Sequence, residues 1–553
     1  MRIQHACPNT HSQFRSVMVA RRIGTLTLFL LLAIVHTWPL ASAPTTLSRN
    51  DNADTVLNEW ILSWVTHQAT RDPGRLFDAN IFHPERRTLA FSEHMFVQSL
   101  LAAPVFWLGG SPVLAYNLVL ILGFALTGWT MCLLIETWTG DRCAGILAGC
   151  LAAFNAHTLT RLPHLQALHF EFLPLAFLAL DGLLRHRRLV DALKLSLWYS
   201  LQALCSVYLM VFSTVALAAA ALARPTDWLV RHFRQTVPPL AVSALVAAIA
   251  TAPFLIPYYL VSAEHGFERH LDEVAELSAS PRSYISTAAN LYLWLCGPGV
   301  YGDDANLFLG AVGLSLVGVA LGTGVAFREP RARMLLAAAV AGIALSFGPR
   351  FPLYAWLHEG LPLMQAVRVA ERFGQMALMA GAGLAGFGLA TLRARCRART
   401  KISGPLLAAA TVALLSIANL EALRAPFTYT PFTGIPRVYD VLANQPNAVV
   451  AEIPFYPAGR SPNNAPYMLA STRHFKPLLN GYSGFLPRSY REHAEALQNF
   501  PDSQAIGALK AAGVTHVVVH TERLPGIETQ ILLASDLVPF VSEPGIRIYT
   551  LER

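Results

Sequence analysis

Eleven long apolar segments constrain this chain more than any other feature of its sequence. A helix of about 20 apolar residues is long enough to cross the hydrocarbon core of a bilayer. Of the 553 residues, 54% are hydrophobic and only 14% are charged, whereas about a quarter are charged in an average soluble domain. We therefore predict a polytopic α-helical membrane protein with about 11 transmembrane helices. The segments are 23–40, 113–136, 142–157, 166–184, 192–207, 208–223, 237–260, 305–326, 334–348, 373–392 and 403–421.

Two regions leave the number of spans open. Residues 192–223 are too long for one comfortable span and barely long enough for two. Residues 96–108 are also apolar, and they fit either a short helix at the membrane interface or a further span.

The basic residues predict an orientation, because short loops rich in Lys and Arg stay in the cytoplasm. With eleven spans, every strongly basic short loop falls on the side of residues 1–22, which predicts a cytoplasmic N-terminal segment. The opposite loops then face the periplasm of a bacterial inner membrane. Residues 21–43 also resemble a secretory signal ending at Ala41 and Ala43, but we favour an uncleaved first helix. The basic loops are 185–194, 224–234, 327–333 and 393–401.

The composition changes after residue 421. Residues 422–553 hold the short apolar runs 447–455, 514–520 and 545–551, with a helix predicted at 502–513. This pattern indicates a small exterior α/β domain, whereas residues 23–421, with an exterior loop at 41–97, form the membrane domain.

The seven cysteines have no metal or redox spacing. The net charge of +8 lies in excess on the inner loops, where it contacts anionic lipid, so we expect no nucleic-acid partner.

Acidic residues follow the first apolar segment, in "SRNDNADTVLNEWILSWVTHQ" at 48–68. The apolar residues from Asp54 onward recur at helical spacing, which predicts a helix along the outer membrane surface with Trp60 and Trp64 at headgroup level. In one interpretation, Asp51 is only the N-cap of this helix and Asp54 lies in its favourable first turn. In the other, an acid at the outer lip of the membrane takes part in chemistry.

A resemblance favours the second interpretation. An acidic first exterior loop with a surface helix, many spans and an exterior C-terminal domain resemble the GT-C superfamily of integral-membrane glycosyltransferases. The stretches "LFDANIFHPERRTLAFSEH" (76–94), "RVAERF" (368–373) and "STRHFKPLLNGYSGF" (471–485) are similar to those of uncharacterised bacterial GT-C-like membrane proteins. In that superfamily an acid of the first loop acts as a base or holds a metal, while the sugar leaves a polyprenyl-type phosphate. The resemblance implies these roles for Asp54, with Asp51 as the alternative. Partial burial at the membrane surface would raise the pKa of such a carboxylate and make it a better base.

Positive charge is needed where the leaving phosphate forms. Arg368 and Arg372 are four residues apart, which on a helix places them on one face before the span at 373–392, with Glu371 tuning or pairing with them. The alternative is an ordinary basic flank. Arg161 and His164 are further candidates for the donor phosphate site, because ionisable groups at membrane depth often line a cavity; a solvated turn between helices explains them nearly as well.

Secondary candidates lie in the exterior loops. Glu93 and His94 are the preferred second pair, although capping and folding of the loop explain them simply. The spacing of His157, His164 and His169 disfavours a zinc site. The sequence leaves the metal unknown, and the resemblance leaves a divalent cation, Mg²⁺ or Mn²⁺, open. Exterior aromatic residues fit either sugar binding or core packing: Tyr456, Tyr467, Phe475, Tyr482 and Phe485.

The function predicted from sequence is a hexosyl- or pentosyltransferase. It would move a sugar from a polyprenyl-phosphate-linked donor to a glycan, lipid, protein or cell-envelope acceptor outside the cell membrane, with inversion at the anomeric carbon. The alternative is a non-catalytic or transport protein that handles lipid-linked intermediates. A transporter commonly carries internal repeats, and the sequence shows no convincing duplication.

Overall fold

A computed structural model describes residues 9–229, 232–266, 270–297, 305–365, 367–399, 403–532 and 536–552. Helices dominate the first three quarters of the chain. In order they are α1 (Asn9–His36), α2 (Ala53–Arg71), α3 (Phe96–Trp107), α4 (Pro112–Thr139), α5 (Arg142–Ala153), α6 (Ala156–Thr160), α7 (Phe172–His186), α8 (Leu189–Ala203), α9 (Val207–Leu222), α10 (Pro225–Trp228), α11 (Phe233–His265), α12 (Leu271–Glu276), α13 (Asn290–Cys296), α14 (Ala311–Gly322), α15 (Val325–Arg328), α16 (Pro330–Ser346), α17 (Pro352–Gly360), α18 (Pro362–Gln365), α19 (Phe373–Arg399) and α20 (Gly404–Ala422).

Each of the eleven predicted apolar segments coincides with a helix of its own. Residues 192–223 form two helices: α8 ends at Ala203, and α9 begins after Ser206, whose side-chain oxygen caps it. Within the described ranges, seven helices are long and apolar enough to cross a membrane. The other four of the eleven, α8, α9, α14 and α16, have 15, 16, 12 and 17 residues. The chain is a multi-pass helical membrane protein, and residues 96–108 form the short helix α3.

Small residues allow the membrane helices to pack closely. Helices α4 and α5 meet at Gly128 and Gly149, where a Cβ atom on either glycine would collide with the ring of Phe29 from α1. A Cβ atom on Gly388 of α19 would collide with the Leu316 carbonyl of α14. Close backbone approach at small residues is the usual basis of helix association in lipid.

Helix α2 does not lie on the membrane surface as predicted. Every residue from Thr55 to Thr66 is buried, including Trp60 at 1% exposure and Trp64 at 5%. The Trp60 indole donates to Asn80 Oδ1 (3.2 Å) and the Trp64 indole donates to the Leu76 carbonyl (2.9 Å). The headgroup position predicted for both tryptophans is therefore wrong, because other parts of the chain cover both faces of the helix.

The polar face of α2 also holds a fully buried acid. Glu59 has no exposed surface, and burial raises its pKa to about 8, although a hydrogen bond from Asn50 opposes the shift. Among the elements that pack on α2 are α3, α4 and the C-terminal helix α22 (Ala465–Ser471). Contacts made hundreds of residues away therefore decide the environment of this helix.

The C-terminal part contains a four-stranded mixed sheet in the order β3, β4, β6, β5. Strand β3 is parallel to β4, with Val450 opposite His516, and β4 and β5 are each antiparallel to β6. The predicted strands and helix are confirmed, and Gly513 at φ +73° follows α24 as the sequence suggested. Its elements are β2 (Thr430–Pro431), α21 (Asp440–Ala443), β3 (Val450–Ile453), α22 (Ala465–Ser471), α23 (Arg488–Ala496), α24 (Ser503–Ala511), β4 (His516–His520), α25 (Ile527–Leu532), β5 (Leu537–Glu543) and β6 (Ile546–Leu551).

The long first loop is joined to this C-terminal part by backbone hydrogen bonds. Strand β1 (Leu47–Ser48) pairs with β2. Further along the loop, the Phe82 and His83 amides donate to the carbonyls of Asn480 (3.1 Å) and Leu478 (3.0 Å). The loop therefore links the membrane helices to the sheet, and the N-terminal end of α2 lies at this junction.

Candidate active site

Asp54 lies in the first turn of α2. The cap of this helix is Asn52, whose Oδ1 accepts a hydrogen bond from the Asp54 amide (2.9 Å). Asp51 was the predicted cap, and that prediction is wrong. The Asp51 carboxylate is half exposed and pairs with Arg49, with 3.2 Å between Oδ1 and Nε. The local sequence therefore holds Asp54 in a fixed helical position, whereas Asp51 points to its own neighbour.

Two side chains from distant parts of the chain converge on the Asp54 carboxylate. The hydroxyl of Tyr482, in the C-terminal domain, donates to Oδ1 at 2.6 Å. Nε2 of His164, in the loop between α6 and α7, lies 3.0 Å from Oδ2. The Asp54 side chain remains 34% exposed, so a ligand can still reach it, and each carboxylate oxygen keeps capacity for a further hydrogen bond.

Arg368 and Arg372 reach this region from an irregular segment. Residues 367–369 have no regular secondary structure, Ala370–Arg372 form one 3-10 turn, and α19 begins at Phe373. The predicted helical face shared by the two arginines is therefore wrong. Tyr208 of α9 organises them instead, because its hydroxyl accepts from the Arg368 amide (3.1 Å) and its ring lies 4.9 Å from the Arg372 guanidinium carbon.

Both neighbouring acids pair with arginines of this region. Nε of Arg368 lies 2.7 Å from Glu273 Oε1 of α12. Glu371 pairs with Arg161 (2.7 Å) rather than with Arg368 or Arg372 as predicted. Arg161 and Glu371 are mostly buried, at 15% and 13% side-chain exposure, whereas Arg368 is 47% exposed.

The electrostatics of Asp54 differ from the sequence expectation. Burial would raise the pKa of Asp54, but hydrogen bonds from His164 and Tyr482 outweigh it together with the charge of Arg372, so the pKa is lowered. The expected rise in the pKa of this acid is wrong. Burial lowers the pKa of His164, with help from Arg372 and Arg161, although Asp54 opposes that shift. At neutral pH an ionised Asp54 therefore faces a neutral His164 and a cationic Arg372.

The secondary pair has structural partners. The Glu93 carboxylate accepts hydrogen bonds from the Ser206 hydroxyl (2.9 Å) and the Val207 amide (2.8 Å), so it caps α9. Burial raises the pKa of Glu93. His94 is buried against Tyr258, whose hydroxyl lies 3.1 Å from Nδ1, and burial lowers its pKa to about 4. Neither residue contacts Asp54 directly, and their part in catalysis stays a prediction.

Other candidates lie apart from this cluster. His169 pairs with Glu171 (2.8 Å) in the interior, and His157 hydrogen-bonds the Ala305 carbonyl. In the loop 262–304, Glu264 pairs with Arg87 (2.8 Å), whereas Glu268 and Arg269 lie outside the described residues.

The cluster around Asp54 does not have the donors of a metal site. Among the described residues, no three His, Cys, Asp or Glu side chains converge in a way that could hold a metal ion. The two Asp54 oxygens already accept from Tyr482 and His164, and the Arg372 charge disfavours a cation beside them. The use of Mg²⁺ or Mn²⁺ therefore stays a prediction, and the described residues around Asp54 do not add to it.

Three residues of the cluster had no role in the sequence prediction. Tyr208 and Glu273 lie in segments that sequence patterns explain as an apolar helix and a solvated acidic face. Tyr482 was noted only as an aromatic residue, and the 428 positions between it and Asp54 left no signal of their hydrogen bond. Covariation between homologous sequences is the kind of signal that could identify such contacts.

The chain combines a multi-pass helical domain, an acid at the start of the first-loop helix and a small C-terminal α/β domain. No family model and no curated protein sequence match the chain. The mycobacterial arabinofuranosyltransferase AftD matches it in structure with a TM-score of 0.58 at 13% identity, over 97% of this chain and 40% of AftD. The oligosaccharyltransferase of Archaeoglobus fulgidus matches with a TM-score of 0.52 at 14% identity, over 96% of this chain and 74% of that one.

A second structure of the archaeal enzyme AglB, in complex with an inhibitory peptide and a dolichol-phosphate, matches with a TM-score of 0.50 at 14% identity, over 96% and 74% of the two chains. The chain spans well under half the length of AftD. These likenesses show that the chain shares the fold of these two glycosyltransferases, and the resemblance stated from sequence is confirmed for the fold.

Proposed function

We propose that this protein is a GT-C glycosyltransferase that transfers a sugar from a polyprenyl-phosphate-linked donor to an acceptor outside the cell membrane. The observation that carries the proposal is the contact of His164 Nε2 with the Asp54 carboxylate (3.0 Å) at a partly exposed position, where the charge of Arg372 is close enough to lower the pKa of both groups. AglB, which shares the fold, was solved with dolichol-phosphate bound. The orientation set by the basic loops supports an exterior location for this site, and hence for the C-terminal domain.

In the proposed reaction, an acceptor hydroxyl attacks the anomeric carbon of the donor sugar. The new C–O bond forms as the bond between that carbon and the phosphate oxygen breaks, and the electron pair leaves with the polyprenyl phosphate. Asp54 takes the acceptor proton, and its lowered pKa keeps it in the ionised, proton-accepting form at neutral pH. One displacement of this kind inverts the anomeric centre.

The leaving phosphate gains negative charge as the bond breaks. Arg372 is the best-placed group to stabilise it, because its guanidinium rests on the Tyr208 ring and its Nε has no hydrogen-bond partner among the described residues. Arg368 is exposed and paired with Glu273, so it can exchange that partner for a phosphate oxygen. His164 and Tyr482 position the Asp54 carboxylate.

Replacing the base tests the proposal directly. We expect Asp54→Asn to lower the release of polyprenyl phosphate from a lipid-linked sugar by about 10² to 10⁴-fold, the usual contribution of a general base. The assay uses purified full-length protein in nanodiscs, with a panel of polyprenyl-phosphate sugars and a cell-envelope extract as acceptor. The control is Asp51→Asn, since Asp51 is a nearby acid that pairs only with Arg49 in this region.

Equal turnover by the wild type and Asp54→Asn would contradict the assignment of the base. A transport role replaces the enzyme proposal if no donor of the panel is turned over while lipid-linked sugars cross the bilayer of proteoliposomes that contain the protein.

A further inference from the structure

A groove of about 510 Å³ runs along the C-terminal half of α2. Its walls are α2 from Ser63 to Arg71, the corner between α3 and α4, and two segments of the C-terminal domain near Phe432 and Phe475. This volume is within the range of about 300–1,000 Å³ usual for ligand pockets. Ser63 lies about 13 Å from Asp54 along the helix axis, at 1.5 Å per residue. Nine residues are two and a half turns of the helix, so Ser63 and Asp54 lie on opposite faces of α2, and the groove is separate from the Asp54 centre.

Aromatic side chains form part of the groove wall. The Phe475 ring stacks on the His67 imidazole, with 3.7 Å between ring centroids. Phe475 has φ +52°, a conformation that is unfavourable for a bulky residue and persists only where its surroundings impose it. Trp107 stands at the rim with 69% of its surface exposed. Flat aromatic faces of this kind match the apolar faces of sugar rings.

The charged residues of the groove are both arginines, Arg71 and Arg473. Arg473 lies 3.6 Å from Asp440 and donates to the Ile435 carbonyl. The Arg71 guanidinium forms no ion pair with the residues that the structure describes. Burial and the charge of Arg71 lower the pKa of His67 to about 4, so His67 is neutral at pH 7. Arg71 therefore leaves the groove with one positive charge that no acid of the described residues pairs with, and this charge suits an anionic ligand.

We propose that this groove binds an acidic glycan, as a site for the acceptor distinct from the Asp54 centre. Arg71 and Arg473 would pair with carboxylate or phosphate groups of the glycan, while Phe475, His67 and Trp107 contact its rings. The identification of this glycan as the acceptor rests on the proposed function. Binding itself does not, because it needs neither donor nor turnover.

Calorimetric titration of the full-length protein in phosphatidylcholine nanodiscs tests the site. The probes are hexagalacturonate, which is acidic, and maltohexaose, which is neutral. We expect the wild type to bind hexagalacturonate more tightly than maltohexaose. Arg71→Gln should weaken the binding of hexagalacturonate about tenfold, as for the loss of one charge-assisted hydrogen bond. Trp107→Phe should lower the affinity for both probes. Arg75→Gln is the matched control, since Arg75 is 75% exposed near the same end of α2 but lies outside the groove wall.

The proposal is overturned if neither probe binds, or if Arg71→Gln and Arg75→Gln bind hexagalacturonate equally. It is also overturned if short-chain phosphatidylglycerol binds more tightly and loses that affinity in Arg71→Gln, because the groove would then hold a lipid headgroup. Asp54→Asn should retain full binding. If hexagalacturonate binds but neither the wild type nor any variant releases polyprenyl phosphate from a donor, the transferase proposal fails while the glycan site stands.

Discussion

At the scale of single residues, the candidate site depends on how each charge is partnered. Asp54 is ionised because two hydrogen bonds and a nearby guanidinium outweigh its burial. Arg161 and Arg368 are engaged by Glu371 and Glu273, whereas Arg372 rests on an aromatic ring. An incoming phosphate would therefore bind Arg372 most easily, because it would not first have to displace a carboxylate of the described residues.

We expect Arg372→Gln to lower kcat by about 10² to 10³-fold, as for other groups that stabilise charge developing in a transition state. The measurement is steady-state release of polyprenyl phosphate at saturating donor. Arg488→Gln serves as the control, because Arg488 is 92% exposed and pairs only with Glu492 in its own helix. An Arg372→Gln enzyme with normal kcat would remove this guanidinium from the leaving-group site.

At the scale of elements, sequence predicted the helices of the membrane domain well. The apolar segments are marked by composition alone, and Ser206 and Gly513 are local signals of helix ends. The α2 helix was also predicted, but its location was wrong. Its Asn58, Glu59 and Ser63 suggested a face towards water, whereas Asn58 donates to Gln166 (2.8 Å) and Glu59 is buried. Sequence periodicity cannot identify a polar partner that lies on another element.

The cap of α2 leads to a prediction for this element. Asn52→Ala should destabilise the protein by about 1 kcal/mol, the usual cost of losing an N-cap, and should lower kcat because Asp54 lies in the uncapped turn. Asn52→Ser should restore both properties, since Ser also caps helices well. Thermal unfolding in detergent and the release assay measure the two effects.

If Asn52→Ala unfolds at the same temperature and turns over normally, the first turn of α2 does not depend on its cap. Normal stability with reduced turnover would instead indicate that the cap acts on the position of Asp54 alone.

At the scale of the whole molecule, the site is assembled from both ends of the chain. Asp54 comes from the first loop, the arginines precede α19, and Tyr482 comes from the C-terminal domain. The sequence identified Asp54, His164, Arg368 and Arg372 as candidates by residue type and by resemblance. It could not show that Glu371 pairs with Arg161, or that Tyr482 contacts Asp54, because those contacts depend on tertiary packing rather than on local pattern.

The hydrogen bond between Tyr482 of the C-terminal domain and Asp54 predicts an effect on the pH dependence of activity. Tyr482→Phe removes a hydrogen bond that lowers the pKa of Asp54, so that pKa should rise. The proposed base acts when ionised, and activity is lost as the pH falls through its pKa. The acid limb of the kcat/KM profile should therefore move to higher pH in Tyr482→Phe.

Profiles of kcat/KM against pH, recorded for the wild type and the variant, measure this shift. Tyr456→Phe provides the comparison, because the Tyr456 hydroxyl accepts from Arg523 in the same domain and does not contact Asp54. Superimposable profiles of the wild type and Tyr482→Phe would show that the C-terminal domain does not influence the base.

The long sequence separation between Asp54 and its tyrosine partner also bears on biosynthesis. A ribosome adding roughly 5–20 residues per second needs roughly 20–90 s to translate the 428 positions that separate the two residues. During that interval the buried tryptophans of α2 have emerged, but the domain that will cover them has not. The nascent protein must therefore shield this helix, by lipid contact or by a chaperone, until translation is nearly finished.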